Sequence, residues 1–275
     1  MTVQPYQQPQ QAVQAVNGQW HQQPAGRRMQ GICCLFHAFA KQGKSCVADS
    51  GWPPRLTMDL EGGAFWTPSR KVYWEPARET CPAWPCDPRA VTPGNPEGYW
   101  DTCIVITRTY GDLKAMRYFL ERGQHPFNSV TLDSVSEMQQ RFTDELAADK
   151  KMERDHWYAM LRWVNQTLRG YRDLITHPVK PVWSVSLVCG THWDDRAKKW
   201  RPLLQGQSKD YVPYYPDILA WIEAQPDGRR DMIIGPHPSI ETGERVGGRL
   251  PGALTIAYPG WPGWTLADMV RQVLS

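Results

Sequence analysis

The stretch Ala38-Phe39-Ala40-Lys41-Gln42-Gly43-Lys44-Ser45 constrains this chain more than any other. It follows the apolar run Ile32–Phe36 (ICCLF) and leads into a short helix expected over Lys44–Asp49. Its spacing is that of a phosphate-binding loop, with Ala where the first Gly usually stands. Strand, loop and helix in that order turn successive backbone N–H groups towards a phosphate, and the helix dipole adds positive potential. In such a loop Lys44 neutralises phosphate oxygens and the Ser45 hydroxyl ligates Mg²⁺. The competing reading is a surface turn that merely contains Gly-Lys-Ser. If position 38 were left-handed, its alanine would cost about 1–2 kcal/mol.

A phosphate-binding loop needs acids nearby. Val130-Thr131-Leu132 ends at Asp133-Ser134, where a carboxylate could hold Mg²⁺ through water. Asp133 or Ser134 serving as the N-cap of the following helix explains the same residues. Met58-Asp59-Leu60-Glu61-Gly62-Gly63 ends another apolar run, and a Glu there could orient and deprotonate an attacking water. The alternative is a pair of solvated loop carboxylates.

The composition suits a packed protein. With 41% hydrophobic and 21% charged residues, global disorder is excluded, and 275 residues allow one large domain or two small ones. A net charge of +3 supports no wholesale polycation argument. Seven irregularly spaced cysteines point to a reducing, cytoplasmic setting. Cys81 and Cys86, in CPAWPC, are spaced too widely for a zinc pair, and Cys103 heads a core strand. The longest apolar run, 31–40, is about half of a membrane span, so no membrane partner is expected.

Residues 1–28 are Gln- and Pro-rich and read as a mobile tail. Residues 29–275 read as one domain with a Trp/Pro-rich insertion at about 64–102, holding Trp66, Trp74, Trp84 and Trp100. Strands are predicted at Leu56–Leu60, Cys103–Thr107, Ser129–Leu132 and Val182–Cys189. Helices are predicted at Asp112–Glu121, around Ser136–Leu146, at Asp155–Leu174 and at Leu266–Leu274. Asp217–Ala224 and Met232–Ile234, joined through Asp227-Gly228, predict a hairpin. The expected class is α/β: a mainly parallel sheet flanked by helices, plus a C-terminal β-hairpin.

The order of these motifs resembles the RecA-like P-loop ATPases, and more closely the short phage-encoded RecA-like proteins associated with single-strand annealing and recombination. Three further stretches carry the closer match: Tyr110-Gly111-Asp112-Leu113, Asp133-Ser134-Val135-Ser136-Glu137-Met138-Gln139, and Arg201-Pro202-Leu203-Leu204-Gln205-Gly206. The likeness covers roughly residues 31–250 apart from the insertion. It implies ATP and Mg²⁺ as cofactors, with residues 38–45 and Cys46 around the phosphates. Ser45 and Asp133 would be the metal-side groups, Glu61 and Lys44 the catalytic ones. Thr191 and His192 would stand where the family senses the γ-phosphate.

The resemblance also implies single-stranded DNA as partner. Trp193, Arg196, Lys198, Lys199, Trp200 and Arg201 combine basic groups with aromatic faces, as such a ligand requires; a solvated β-turn around Asp194-Asp195 fits equally. A homo-oligomer, ring or filament, would use Arg245 or Arg249 in trans, although the Lys expected there is missing. For a phage-encoded chain the location would be the host cytoplasm. The rival expectations are a nucleotide-binding interaction module with little hydrolysis, and a structural virion protein built around the Trp-rich segment.

Overall fold

Strand β1 (Ile32–His37) is buried along its whole length and sends its side chains into two different cores. Cys33 and Leu35 join one apolar cluster; Ile32, Cys34 and Phe36 join the other. A strand apolar on both faces belongs in the interior of a helix-covered sheet, which is what the unbroken run ICCLF encodes. The computed structural model describes residues 30–148 and 150–275, so the expected tail at 1–28 lies outside the described residues.

In chain order the remaining strands are β2 (Arg55–Asp59), β3 (Lys71–Tyr73), β4 (Thr102–Ile106), β5 (Ser129–Asp133), β6 (Ser184–Cys189), β7 (Thr191–Asp194) and β8 (Lys199–Pro202). They are followed by β9 (Ile218–Ala224), β10 (Arg230–Ile233), β11 (Gly243–Glu244) and β12 (Ala253–Thr255). The main sheet runs β12-β10-β9-β1-β6-β5-β2-β4-β3, with β11 also on β9; β7 and β8 form a separate hairpin. Strands from β9 across to β3 are parallel, whereas β10, β11 and β12 add antiparallel. The protein is thus α/β, with a large, mostly parallel mixed sheet flanked by helices.

The helices are α1 (Lys44–Ala48), α2 (Tyr110–Glu121), α3 (Val135–Ala147), α4 (Arg154–Arg172), α5 (Ser208–Tyr211) and α6 (Leu266–Leu274). Leu113, Met116, Phe142, Val164 and Leu168 from α2–α4 cover one face, while Val47, Met269 and Val270 from α1 and α6 cover the other. Polar caps set their starts: Thr109 and Thr265 form capping boxes with Asp112 and Asp268. Each such cap is worth about 1 kcal/mol. The region predicted as Asp155–Leu174 ends its α-helix at Arg172 and continues as a 3₁₀ turn over Asp173–Thr176.

Under α1 the sheet face is polar. Arg55 pairs with Asp49 at 3.5 Å and donates to the Thr102 hydroxyl at 2.8 Å, and that hydroxyl donates to Asp49 at 2.6 Å. Removing one member of such a buried pair costs about 3–5 kcal/mol, so the network pins the helix that follows the loop. The Trp/Pro-rich stretch is largely irregular, yet it is not outside the sheet: β3 pairs with β4. Trp74 and Trp100 are buried and donate to the carbonyls of Glu79 and Ala83, whereas Trp66 is 82% exposed. Three strand residues among so many prolines leave no readable period.

Candidate functional site

Parallel registers align the ends of the central strands. Phe36 stands beside Val188, Val188 beside Asp133, Asp133 beside Asp59, and Asp59 beside Ile106. The loop after β1, the turn after β2, Asp133 itself and the turn after β6 therefore share the carboxyl edge, where α/β sheets place ligands. Strand β6 separates β1 from β5 by one position.

In the loop, the left-handed positions are Lys41 (φ 63°) and Gly43 (φ 100°), not Ala38. Ala38 is fully buried and escapes the cost considered for it. At Gly43 a side chain would be strained, and its Cβ would lie 3.3 Å from the Tyr258 ring. Gln42 accepts a hydrogen bond from the Ala224 amide, tying the loop to the end of β9. The Lys44 ammonium donates to the carbonyls of Phe39 at 2.8 Å and Ala38 at 3.2 Å. Burial lowers its pKa, and Asp133 and Glu61 oppose that shift.

The acids divide the work that sequence could not divide. Ser134, not Asp133, caps α3 by accepting from the Glu137 amide at 3.2 Å. Asp133 is left 3% exposed at the end of β5. Burial raises its pKa to about 6; the Ser45 hydroxyl counters this, Glu61 and Asp59 add to it, and Lys44 opposes it. Asp59 is consumed by its own turn, accepting from the amides of Glu61 (3.2 Å), Gly62 (2.8 Å) and Ala64 (3.2 Å). That turn presents Glu61, whose carboxylate accepts from the Ser134 hydroxyl.

A cavity of about 450 Å³ opens at this edge, lined by Ala38, Phe39, Ala40, Lys44 and Glu61 on one side; Ser45 and Asp133 lie behind its wall rather than on it. Ser136, Glu137, Gln139, Gln140, Gly190, Thr191, Leu203 and Gln205 complete it. Gln139, buried in α3, accepts from the Gln205 amide at 2.7 Å and donates to the Gln205 carbonyl at 3.1 Å, clamping that wall. Of the two γ-phosphate candidates only Thr191 reaches the cavity; its hydroxyl donates to the Arg201 carbonyl at 2.9 Å. His192 is half-buried and its Nδ1 has no partner among the described residues. His37, the last residue of β1, approaches the Glu241 carbonyl through Nε2 at 2.8 Å, and burial lowers its pKa to about 4.

The six nucleic-acid candidates fall on the β7–β8 hairpin and separate into two sets. Trp193, Arg196 and Lys198 are exposed and Lys199 half-buried. Trp200 instead packs edge-on against Phe39 (4.8 Å between centroids) and Trp193 (5.5 Å). Arg201 is 14% exposed and committed internally, to Glu241 at 2.8 Å, Asp194 at 3.2 Å and Asp210 at 3.5 Å. Trp200 and Arg201 are thus tied into the hairpin's base, whereas Trp193, Arg196 and Lys198 face outward.

Arg245 and Arg249, expected to act in trans, are held within their own chain. Arg245 pairs with Asp217 at 3.1 Å and donates to the Tyr215 carbonyl at 2.6 Å; Arg249 donates to the Val273 carbonyl. Asp217 precedes β9, so Arg245 lies towards the edge opposite Lys44. Residues that sequence reasoning passed over include Gln139, Gln205 and the pair Arg230–Tyr258, with the guanidinium 4.4 Å from the ring centroid beside Gly43. Gln139 and Gln205 stood inside quoted motifs without a role; Tyr258 carried no signal at all.

As donors, Ser45 and Asp133 are hard oxygen groups, the set that suits Mg²⁺ with water and phosphate completing its shell. Among the described residues no group of three or more His, Cys, Asp and Glu side chains is arranged to hold a metal ion. Cys103 is buried in β4, and burial raises the Cys81 pKa to about 11. No described helix is long and apolar enough to cross a membrane. Set against known proteins, the chain matches no family model, and no curated protein sequence is significantly similar to it.

Proposed function

We propose that this chain is a RecA-like ATPase that binds ATP with Mg²⁺ at residues 38–46 and acts on single-stranded DNA in phage recombination or replication. The observation that carries the reading is that Lys44 and Glu61 line one cavity at the strand edge, with the buried Asp133 close enough behind them for Lys44, Glu61 and Ser45 to shift its pKa. Lys44 exchanges the carbonyls of Ala38 and Phe39 for phosphate oxygens, and its partly desolvated ammonium attracts an anion strongly. Ser45 and Asp133 would hold Mg²⁺, which when bound neutralises charge on the phosphate oxygens. Glu61, steadied by Ser134, orients water and accepts its proton. Arg230 and Tyr258 flank the loop with planar groups that suit a nucleobase. On the hairpin, Trp193, Arg196 and Lys198 suit the bases and phosphates of a single strand. A homo-oligomeric ring or filament belongs to the same reading.

One observation favours a second reading, a nucleotide-binding interaction module with little hydrolysis: Arg245 and Arg249 are both engaged in cis. Titration with a fluorescent ATP analogue and phosphate-release assays with single-stranded DNA distinguish the two. Lys44→Ala is expected to weaken analogue binding at least about 100-fold; unchanged binding would end the nucleotide reading. Glu61→Gln is expected to keep binding and slow hydrolysis about 10²–10⁴-fold. Equal, negligible turnover in wild type and Glu61→Gln would leave the interaction module standing instead.

A further inference from the structure

The outer face of α4 carries positive charge that the rest of the fold leaves unanswered. Several buried and half-buried arginines elsewhere have carboxylate partners: Arg55 with Asp49, Arg89 with Asp87, Arg141 with Glu137, Arg201 with Glu241. Arg154, Arg162 and Arg169 have none within ion-pair distance among the described residues. Tyr158 and Arg162 are one turn apart and Arg162 and Arg169 two turns, so they share one stripe of the helix. An exposed carboxylate, Asp155, stands at the amino end of that stripe.

The stripe borders a groove of about 350 Å³, lined by Tyr158, Leu161, Arg162, Asn165, Gln166 and Arg169, which shares no residue with the loop cavity. Its groups are placed rather than loose. The Arg169 guanidinium sits 5.0 Å from the Tyr215 ring centroid, and the Tyr215 hydroxyl donates to Asn165 at 2.8 Å. Tyr158 is 50% exposed and Tyr214, next to Tyr215, is 76% exposed. Seven residues of helix separate Arg162 from Arg169 by roughly 10 Å, so the two would meet phosphates that are not neighbours along a strand. The 208–215 segment connects this face to the hairpin, since Lys209 pairs with Asp194 at 3.6 Å.

We propose that this groove is a second contact surface for single-stranded nucleic acid, with phosphates on Arg162 and Arg169 and bases stacked on Tyr158 and Tyr214. Guanidinium groups without carboxylate partners beside exposed rings supply both halves of such recognition, and a base on Tyr158 would displace Arg154, which lies 5.4 Å from its ring centroid. The surface rests on the proposed function only for its ligand class and makes no use of the nucleotide site.

The test measures binding of a labelled oligo-dT to the full chain by fluorescence anisotropy over a range of salt concentrations. The double variant Arg162→Gln/Arg169→Gln is expected to bind about tenfold more weakly, with the log–log salt slope reduced by about 1. Tyr158→Ala is expected to weaken binding a few-fold and Tyr158→Phe to restore it. Both changes lie on exposed side chains, and unchanged ATP-analogue binding verifies the fold. Wild-type affinity and slope in the double variant overturn the proposal. If Lys198→Gln weakens binding and the double variant does not, single-stranded DNA remains the partner and the groove is lost. If wild type binds poly-glutamate but not oligo-dT, and the double variant loses it, the groove serves an acidic polypeptide and the proposal fails. Absence of any oligo-dT binding by wild type removes both nucleic-acid claims while leaving the ATP-analogue result separate.

Discussion

Two clusters of charge on this molecule use similar residues to opposite ends. At the strand edge Lys44 leans on its own loop's carbonyls, Asp133 is buried with a pKa of about 6, and Glu61 faces the cavity. At the base of the β7–β8 hairpin, Arg201 meets Glu241, Asp194 and Asp210, while Lys209 adds to Asp194. Asp194 also accepts from the amides of Arg196 and Ala197, and its pKa is held below the usual carboxylate range, first by the Ala197 amide. The second cluster is satisfied within itself and fastens a hairpin. The first keeps a buried acid and a half-buried lysine under-compensated, which costs stability.

The largest expected effect is at the satisfied cluster. Arg201→Met is expected to lower the melting temperature by about 5–10 °C, because it strands Glu241 and Asp194 without their shared cation. Thermal unfolding measures this. An unchanged midpoint together with a reduced DNA salt slope would return Arg201 to the ligand surface and break the comparison.

Asp133→Asn should act with the opposite sign. The folded pKa, about 6, lies above the ordinary value of 3.8, so between these the native state binds more protons than the unfolded chain. Stability therefore falls as pH rises through that window, and the cost is complete above it. The asparagine variant is expected to be more stable at pH 8 by up to about 3 kcal/mol and to keep only a small part of that gain, about 0.5 kcal/mol, at pH 4. It should also lose the Mg²⁺-dependent part of analogue binding. Unfolding curves at both pH values check it; a variant less stable at pH 8 would place Asp133 in the structural class.

The smallest effect joins the two regions. Phe39, in the loop, touches Trp200 of the hairpin and Trp221 of β9, at 4.8 and 5.5 Å between centroids. An ATP analogue is expected to change tryptophan emission in wild type, and Phe39→Ala to abolish most of that change while altering affinity less than about threefold. An identical spectral response in the variant would separate the loop from the hairpin.

Much of the fold was legible because its signals are local. ICCLF, SVTLD and SVSLVC are apolar or small over their length, as buried parallel strands must be, and the capping residues mark helix starts within four positions. Strand β3 escaped because three residues among prolines carry no period, and the β7–β8 hairpin because Trp, His and Lys mask its alternation. The site was legible as a set of candidates without their assignments. Nothing near Arg201 announces Glu241, forty positions later, and nothing in Asp-Leu-Glu says that Asp59 is spent on three backbone amides.

By itself the sequence determined the mostly parallel character of the sheet and most element boundaries, since these depend on residues adjacent along the chain. Tertiary structure alone decided which acids meet Lys44, which of Thr191 and His192 reaches the cavity, and which basic residues remain free. Those outcomes depend on strand register and on partners distant in sequence, and burial sets the energy of a charge only once the surrounding elements have packed.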